Sequence, residues 1–293
     1  MSRPISRRSQ WKLDSRRGLA AWYSLRRDLT LSWLHQQLLH LVFGVALAAL
    51  GLAASAADRL TSAIERIKPS VLAVGFYKET QNPRFGFRGT GFVAGAGNLL
   101  VTNAHVIERS DKAEDDGSVM VVLSREGGSQ GRIRRAEVIG LDKAHDLAVL
   151  RFEGNPLPVL ELGKAGSVRE GQSVAFVGFP LGGVLGFAPV THRGIVSSIT
   201  TVALPSPSAR QLDDRTINRL REGSFEMLQL DATAYPGNSG GPLFDEETGA
   251  IVGVVNMVTL KGTRESALTH PSGISYAVPV EFVLKLLAPS VRK

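Results

Sequence analysis

The sequence contains no cysteine, and several other signs of particular protein classes are also missing. Without cysteine there are no disulfides and no thiolate metal sites. No tandem repeat recurs at a fixed period, which argues against a solenoid or a propeller. Hydrophobic residues make up 43% and charged residues 21% of the 293 residues, a balance typical of a folded chain and not of a disordered one. The chain is therefore globular and long enough for one large domain or two smaller ones.

Excess positive charge is also absent once the N-terminal segment is set aside. The net charge is +7, but residues 1–57 hold eight Arg or Lys against two Asp or Glu. The remaining residues hold 26 and 25, and no stripe of basic and aromatic residues runs through them. Basicity confined to a leader is not the electrostatic footprint of a nucleic-acid-binding domain. We therefore expect no nucleic-acid partner, and a cytosolic nucleic-acid-binding protein is the weakest interpretation.

Residues 1–57 form a basic leader that ends in an apolar run. The run from Leu38 to Ala57 is uncharged and finishes in small residues, with Ala54 and Ala56 or Ser55 and Ala57 before a cleavage point. This order is typical of an export signal. The run also nears the length of a membrane span, so a retained inner-membrane anchor is the alternative. Two arginine pairs, at 16–17 and 26–27, leave the Sec and twin-arginine export routes both open. We favour a cleaved signal and a periplasmic or otherwise exported protein.

Short apolar runs bounded by turn residues dominate the rest of the chain. Runs such as SVLAVGFY and AIVGVVNM have the length and spacing of β-strands. Two sets of about six runs meet near residues 160–171. The pattern predicts an all-β protein of two six-stranded antiparallel β-barrels, over 58–165 and 166–293. Amphipathic helices are expected at each end, from Asp58 to Lys68 and in PVEFVLKLLAPS, with an exposed loop at 204–226.

Three residues follow one another in an order that suits acyl transfer. His105 leaves an apolar strand in LLVTNAHVIE, Asp146 enters one in KAHDLAVLRF, and Ser239 lies in YPGNSGGPLF. A nucleophilic serine needs a base, an acid that orients the base, and donors for the oxyanion. The order His, Asp, Ser is that of chymotrypsin-type proteases and differs from subtilisin and the α/β-hydrolases.

Each of these residues also has an ordinary structural explanation. A lone histidine at a strand end is more often structural, and YPGNSGGPLF is also a tight turn between strands. The neighbours His145 and Asp146 suggest a metal-binding pair, but no further ligands accompany them, and we expect no metal and no cofactor. The conjunction of all three residues in order, at strand edges, favours the catalytic interpretation.

The motifs VTNAHV, HDLAVL, GIVSS and PGNSGGPL resemble those of the HtrA/Deg group of trypsin-like serine proteases. The resemblance covers roughly residues 60–288 and implies a chymotrypsin-like double barrel. It implies His105 as general base, Asp146 as its partner and Ser239 as nucleophile. It also implies an oxyanion hole formed by the backbone N–H groups of Gly237 and Ser239, with Asn238 shaping the turn.

The sequence departs from the family pattern in three places. Only 54 residues follow Ser239, so we expect no PDZ domain of the kind that often follows the protease in this family. The usual asparagine before PGNSGG is replaced by Tyr235, for which the sequence offers no explanation. The segment between Tyr77 and Gly89 is too short for the long regulatory loop of some relatives.

Residues near Ser239 predict the specificity and the control of the enzyme. In trypsin-like proteases the residue six before the nucleophile forms the floor of the primary specificity pocket, and the resemblance gives this place to Thr233. Thr233 has no negative charge to select Arg or Lys, so we expect cleavage after small or medium apolar residues. The stretch Asn256, Met257 and Val258 resembles the strand that pairs with the substrate backbone. Asn238 cannot form an ion pair with a freed N-terminus, which argues against zymogen activation. Rearrangement of the loops around 182–193 and 204–226 is the expected control.

The sequence thus predicts a serine endopeptidase that acts on unfolded or exported proteins in protein quality control. The alternative is a protease-fold holdase or scaffold that binds unfolded polypeptide without turnover. The family resemblance suggests a homotrimer assembled through residues 58–75. We expect contact with a membrane only through the N-terminal segment, if that segment stays uncleaved.

Overall fold

A computed structural model describes residues 40, 41, 43, 59–108, 117–124, 131–182, 186–202, 225–256 and 273–288. The segment from Met1 to Asp58 and the segment from Arg59 to Lys293 are separate compact units, and the fold below is that of the second. The predicted leader lies outside the described residues except for positions 40, 41 and 43. In the described part of the chain, no helix is both long enough and apolar enough to cross a membrane.

A helix at the start of this unit, α1, covers residues 59–67 and passes into a 3-10 turn at Lys68–Ser70. Ala63 and Ile67 are buried and lie four residues apart, so one face of the helix packs on the core. Proline at position 69 is within the 3-10 turn, where its missing N–H costs nothing. The predicted N-terminal amphipathic helix is confirmed.

The first barrel is a closed antiparallel sheet of six strands in the order β1-β2-β3-β6-β5-β4. A short helix, α2 (Ala104–Ile107), follows β3. The strands are β1 (Val71–Tyr77), β2 (Phe85–Val93), β3 (Leu99–Thr102), β4 (Val119–Ser124), β5 (Arg132–Asp142) and β6 (Leu147–Phe152).

The second barrel is also closed, in the order β10-β11-β12-β9-β8-β7, and α3 (Val280–Leu287) follows its last strand. Two six-stranded barrels and a C-terminal helix agree with the fold predicted from the sequence. The strands are β7 (Ser173–Gly178), β8 (Val190–Val202), β9 (Phe225–Asp231), β10 (Pro242–Asp245), β11 (Ile251–Asn256) and β12 (Ile274–Pro279).

Strand β1 shows why the apolar runs are nearly continuous rather than alternating. Leu72 and Val74 belong to the cluster inside the first barrel. Val71 and Ala73 point the other way, into a cluster that residues of both barrels, α1 and α3 share. Because successive side chains of a strand face opposite sides, a strand buried on both faces must be apolar throughout. The two barrels are therefore packed against each other through a common core.

Strand β8 corrects one boundary that the sequence predicts. The sequence predicts a loop around residues 182–193, which contain three glycines, but β8 begins at Val190. His192 pairs with Phe176, and Arg193 with Ala175, in the ladder to β7. The backbone groups of β7 need partners inside a closed barrel, and this requirement outweighs the local glycine content. The loop expected at 204–226 lies mostly outside the described residues, and β9 begins at Phe225.

Candidate active site

His105 lies in α2, the short helix that follows strand β3 of the first barrel. Strand β3 stops at Thr102, Asn103 takes an extended conformation, and α2 begins at Ala104. The side chain of His105 is 39% exposed, whereas its neighbours Ala104 and Val106 are buried. The short helix thus fixes its backbone in the core and leaves one edge of the imidazole accessible.

Asp146 faces His105 with both carboxylate oxygens. Oδ2 lies 2.6 Å from His105 Nδ1, and Oδ1 accepts the backbone N–H of His105 at 2.8 Å. Asp146 has a left-handed backbone with φ 52°, an uncommon conformation that aspartate tolerates better than most residues. With Nδ1 donating to the carboxylate, Nε2 is the acceptor of a neutral imidazole. The pair therefore has the arrangement of an oriented general base.

Two buried asparagines also donate to Asp146. Asn256, the last residue of β11, donates from Nδ2 to Oδ2 of Asp146 at 2.9 Å. Asn103 donates from Nδ2 to the Asp146 carbonyl oxygen at 2.9 Å, and that oxygen also accepts the Ala104 N–H at 3.1 Å. The carboxylate is thus bound from both barrels.

Ser239 lies in the turn between β9 and β10. Its residue is 6% exposed, and Gly237 and Gly240 on either side have φ 104° and 85°. Only glycine adopts such angles without strain. Side chains at both positions would also overlap the first barrel or the β7 end, since a Cβ on Gly237 would meet Phe179 and Phe87 and one on Gly240 would meet Thr90. The glycines in GNSGG are thus required by conformation and by close packing.

Two hydrogen bonds close the turn that carries Ser239. The carbonyls of Tyr235 and Asn238 accept the N–H groups of Asn238 and Gly241, both at 3.0 Å. Asn238, predicted in the oxyanion hole, therefore uses its own N–H inside the turn and shapes it. Among the described residues, none accepts a hydrogen bond from the N–H of Gly237. The family resemblance implies this N–H as a donor to the oxyanion.

Thr90 of β2 joins this turn to the first barrel. Its N–H donates to the Ser239 carbonyl at 2.8 Å, and its Oγ1 donates to the Gly237 carbonyl at 2.6 Å. Its own carbonyl accepts Oγ1 of Thr102 at 2.6 Å, three residues before His105. The segment that carries His105 and the turn that carries Ser239 are therefore connected through one threonine.

The residues predicted to bind substrate are only partly described. Thr233 is half-buried. The hydroxyl of Ser275 binds the residues on either side of Thr233, donating to the Ala232 carbonyl at 2.6 Å and accepting the Ala234 N–H at 2.9 Å. Asn256 contacts Asp146 through its side chain, a role that its predicted place beside the substrate did not include. Met257 and Val258 lie outside the described residues.

Sequence reasoning missed the parts played by Asn256 and Thr90. Thr90 left one signal, because it is a polar residue between two glycines inside an apolar strand. A Cβ on Gly89 would press on Val106 and on the Ser239 carbonyl, so the strand must come close to the turn there. Asn256 left no comparable signal, since it ends an apolar run like many turn residues.

His145, the neighbour of Asp146, has a separate partner. Its Nδ1 lies 2.7 Å from Oδ2 of Asp142, and its ring stacks on Phe282 of α3 with centroids 3.9 Å apart. His145 and Asp146 thus face different groups, and the adjacent pair does not converge on one point. The contact fixes the turn before β6 against α3.

Tyr235, for which the sequence offered no explanation, contacts an aromatic stack in the second barrel. Its ring centroid lies 5.9 Å from that of His192, which in turn stacks on Phe176 at 4.9 Å. Burial lowers the pKa of His192 below its ordinary value of 6.5. Tyr235 therefore packs on the barrel wall from the start of the serine turn.

Comparisons with known proteins show the family of the chain. The trypsin-like peptidase domain family matches residues 89–254. A probable periplasmic serine endoprotease, DegP-like, from Pseudomonas fluorescens is 32% identical over 67% of this chain. Serine protease HTRA3 of Rattus norvegicus is 28% identical over 78% of this chain. The chain covers 33% and 44% of these two relatives.

Solved structures show the same fold. The HtrA-type protease AlgW with tripeptide aligns over 79% of this chain and 63% of that chain, with a TM-score of 0.54 and 24% identity. The serine endoprotease from Yersinia pestis aligns over 80% of this chain and 67% of that chain, with the same TM-score and identity. At this identity the likeness concerns the fold alone. The family match covers more than half of the chain and includes the segments of His105, Asp146 and Ser239. The chain belongs to the trypsin-like peptidase domain family, and its relatives include DegP-like and HTRA3 serine proteases, to which it is similar.

Proposed function

We propose that the protein is a serine endopeptidase that hydrolyses peptide bonds of unfolded or exported polypeptides. The observation that carries the proposal is the His105–Asp146 pair, with a Nδ1–Oδ2 distance of 2.6 Å and a second donor from Asn256. A histidine held in this way takes up a proton at Nε2, the function of a general base. The named serine endoproteases among the relatives support the same activity.

The proposed reaction uses these groups one after another. Ser239 Oγ attacks the scissile carbonyl carbon and passes its proton to Nε2 of His105, while Asp146 stabilises the imidazolium that forms. The carbonyl oxygen becomes an oxyanion that the N–H groups of Gly237 and Ser239 bind. His105 then gives the proton to the leaving amine as the C–N bond breaks. Water, deprotonated by His105, hydrolyses the acyl-enzyme and restores Ser239.

Specificity and setting are further parts of the proposal. Thr233 offers no negative charge, so the enzyme cleaves after small or medium apolar residues such as Val, Ala, Leu or Ile. The periplasmic DegP-like relatives and the basic leader support export, with a membrane-anchored form as the alternative. A homotrimer is the proposed assembly, and polypeptide substrates are the proposed partners.

Casein digestion by the purified protein and by Ser239→Ala tests the proposal. The wild type should cleave casein and react with a fluorophosphonate probe, and Ser239→Ala should do neither. Mass spectrometry of the products should show apolar residues before the cleaved bonds, and a dominant Arg or Lys would contradict the specificity. Equal turnover by both proteins would contradict the role of Ser239. Binding of casein without turnover by either would indicate the holdase instead.

A further inference from the structure

We infer that the hydroxyl of Thr90 is a positioning group for the oxyanion hole, fixing the two peptide planes that flank Gly237. This inference rests on the proposed peptidase function. Among the described residues, no hydrogen bond joins Thr90 to His105 or Asp146, and Thr90 is fully buried in β2. It therefore acts through the backbone of the serine turn rather than on substrate.

The direction of the Thr90 hydroxyl is fixed by its two partners. A hydroxyl has one proton to donate and lone pairs to accept with. The N–H of Phe179 donates to Oγ1 at 3.1 Å, so the single hydroxyl proton is left for the Gly237 carbonyl, 2.6 Å away. The bond to Gly237 is short, and both partners are buried. The carbonyl of Gly237, and with it the peptide to Asn238, is thereby held toward the first barrel.

The preceding peptide plane depends on the same threonine through Phe179. The carbonyl of Pro236, in the peptide that carries the Gly237 N–H, accepts the N–H of Leu181 at 2.9 Å. Leu181 lies two residues after Phe179 and has a left-handed backbone with φ 59°. Thr90 anchors the start of this segment at the Phe179 N–H. One hydroxyl thus supports the carbonyls on both sides of the Gly237 N–H.

Gly237 itself makes such anchoring necessary. Its φ of 104° lies in a region open to glycine, and glycine rotates between backbone states at little cost. Since Gly237 has no side chain of its own to restrict it, the direction of its N–H is set by the hydrogen-bond partners of the neighbouring carbonyls. If Thr90 lost its hydroxyl, the Gly237 carbonyl and the Phe179 N–H would both lose a buried partner, a cost that favours rotation of the peptide.

The test compares Thr90→Val, which keeps the shape without the hydroxyl, with Thr90→Ser, which restores the hydroxyl. Ser70→Ala is the matched control, because Ser70 is also fully buried and its hydroxyl donates to a carbonyl, that of Pro158, at 2.7 Å. We expect Thr90→Val to lower kcat for a quenched peptide substrate about 10- to 100-fold with KM within about twofold, the pattern of a lost transition-state interaction. Thr90→Ser should recover to within about threefold, and Ser70→Ala should keep the wild-type kcat.

Several results would overturn the inference. An unchanged kcat in Thr90→Val, an equally low kcat in Thr90→Ser, or an equal loss in Ser70→Ala would each do so. If the wild type and Ser239→Ala do not differ in turnover, the proposed function fails, and a crystal structure of Thr90→Val then decides separately. A Gly237 carbonyl that has rotated away from residue 90 supports the positioning role, and one that keeps its direction overturns it.

Discussion

At the scale of single residues, Asp146 accepts hydrogen bonds from two segments of the chain, residues 103–105 and Asn256. Its carboxylate accepts from the backbone and the ring of His105 and from Asn256, and its carbonyl accepts from Asn103 and Ala104. Bonds to an ionised group are stronger than bonds between neutral groups. The hydrogen bond from Asn256 to the Asp146 carboxylate should therefore contribute more free energy than the bond from Asn103 to the neutral Asp146 carbonyl.

Asn256→Ala should lower kcat/KM about 10- to 100-fold, because a hydrogen bond to a charged group contributes about 1.5–3 kcal/mol. Asn103→Ala also removes an amide donor to Asp146, but this donor binds the carbonyl oxygen and not the carboxylate. We expect the kcat/KM of Asn103→Ala to remain within about threefold of the wild-type value. Steady-state cleavage of a peptide substrate measures both. The prediction is wrong if the two variants lose activity equally.

At the scale of elements, the turn between β9 and β10 depends on glycines that differ from other glycines in the chain. Gly240 and Gly166 both have positive φ, 85° and 65°. A Cβ on Gly240 would overlap the Thr90 carbonyl and Thr102, whereas a Cβ on Gly166 would meet nothing within 4 Å. The two positions thus separate conformational strain from steric overlap.

Gly166→Ala should destabilise the fold by about 1–2 kcal/mol, the cost of a left-handed non-glycine residue. Gly240→Ala adds a backbone overlap and should lose more than about 4 kcal/mol or fail to accumulate as folded protein. Urea unfolding followed by circular dichroism gives both free energies. A Gly240→Ala variant as stable as Gly166→Ala would show that the turn moves away from β2 without cost.

The order and number of the strands could be predicted because each is encoded locally, whereas the short helix α2 was not predicted. Apolar runs between turn residues gave twelve strands, and Pro69 marked the end of the first helix. The start of β8 at Val190 could not be predicted, because pairing with β7 and not local composition decides it. Of the predicted site, the structure shows the contact between His105 and Asp146. His105 and Asp146 carry motifs, but the Asn256 contact joins residues 110 positions apart and depends on how the barrels pack.

At the scale of the whole molecule, stability depends on what is buried in the two barrels, and His192 is a titratable group in the second. It stacks on Phe176 and contacts Tyr235, and burial lowers its pKa from 6.5. An unfolded chain therefore binds a proton at this histidine at higher pH than the folded chain does. The stability it contributes is present above pH 6.5 and is lost as the pH falls below that value.

His192→Phe keeps a stacked ring and removes the titration. We expect the Tm of the wild type to fall more steeply than that of His192→Phe between pH 7 and pH 5, with the two curves closest in slope above pH 7. Differential scanning calorimetry across this range measures the difference. Parallel curves throughout would mean that His192 titrates alike in the folded and unfolded states.

Strand β8 is long enough for a distance along it to report on the second barrel. The exposed residues Arg193 and Thr201 lie eight residues apart on it, a span of roughly 26 Å at the rise of a β-strand. Its first half is fixed to β7 and its second half to β9, so the span is set by two ladders. Since the chain contains no cysteine, a pair of cysteines placed at these two positions would carry spin labels without background. Pulsed dipolar spectroscopy of that pair would read the integrity of the second barrel in a single distance.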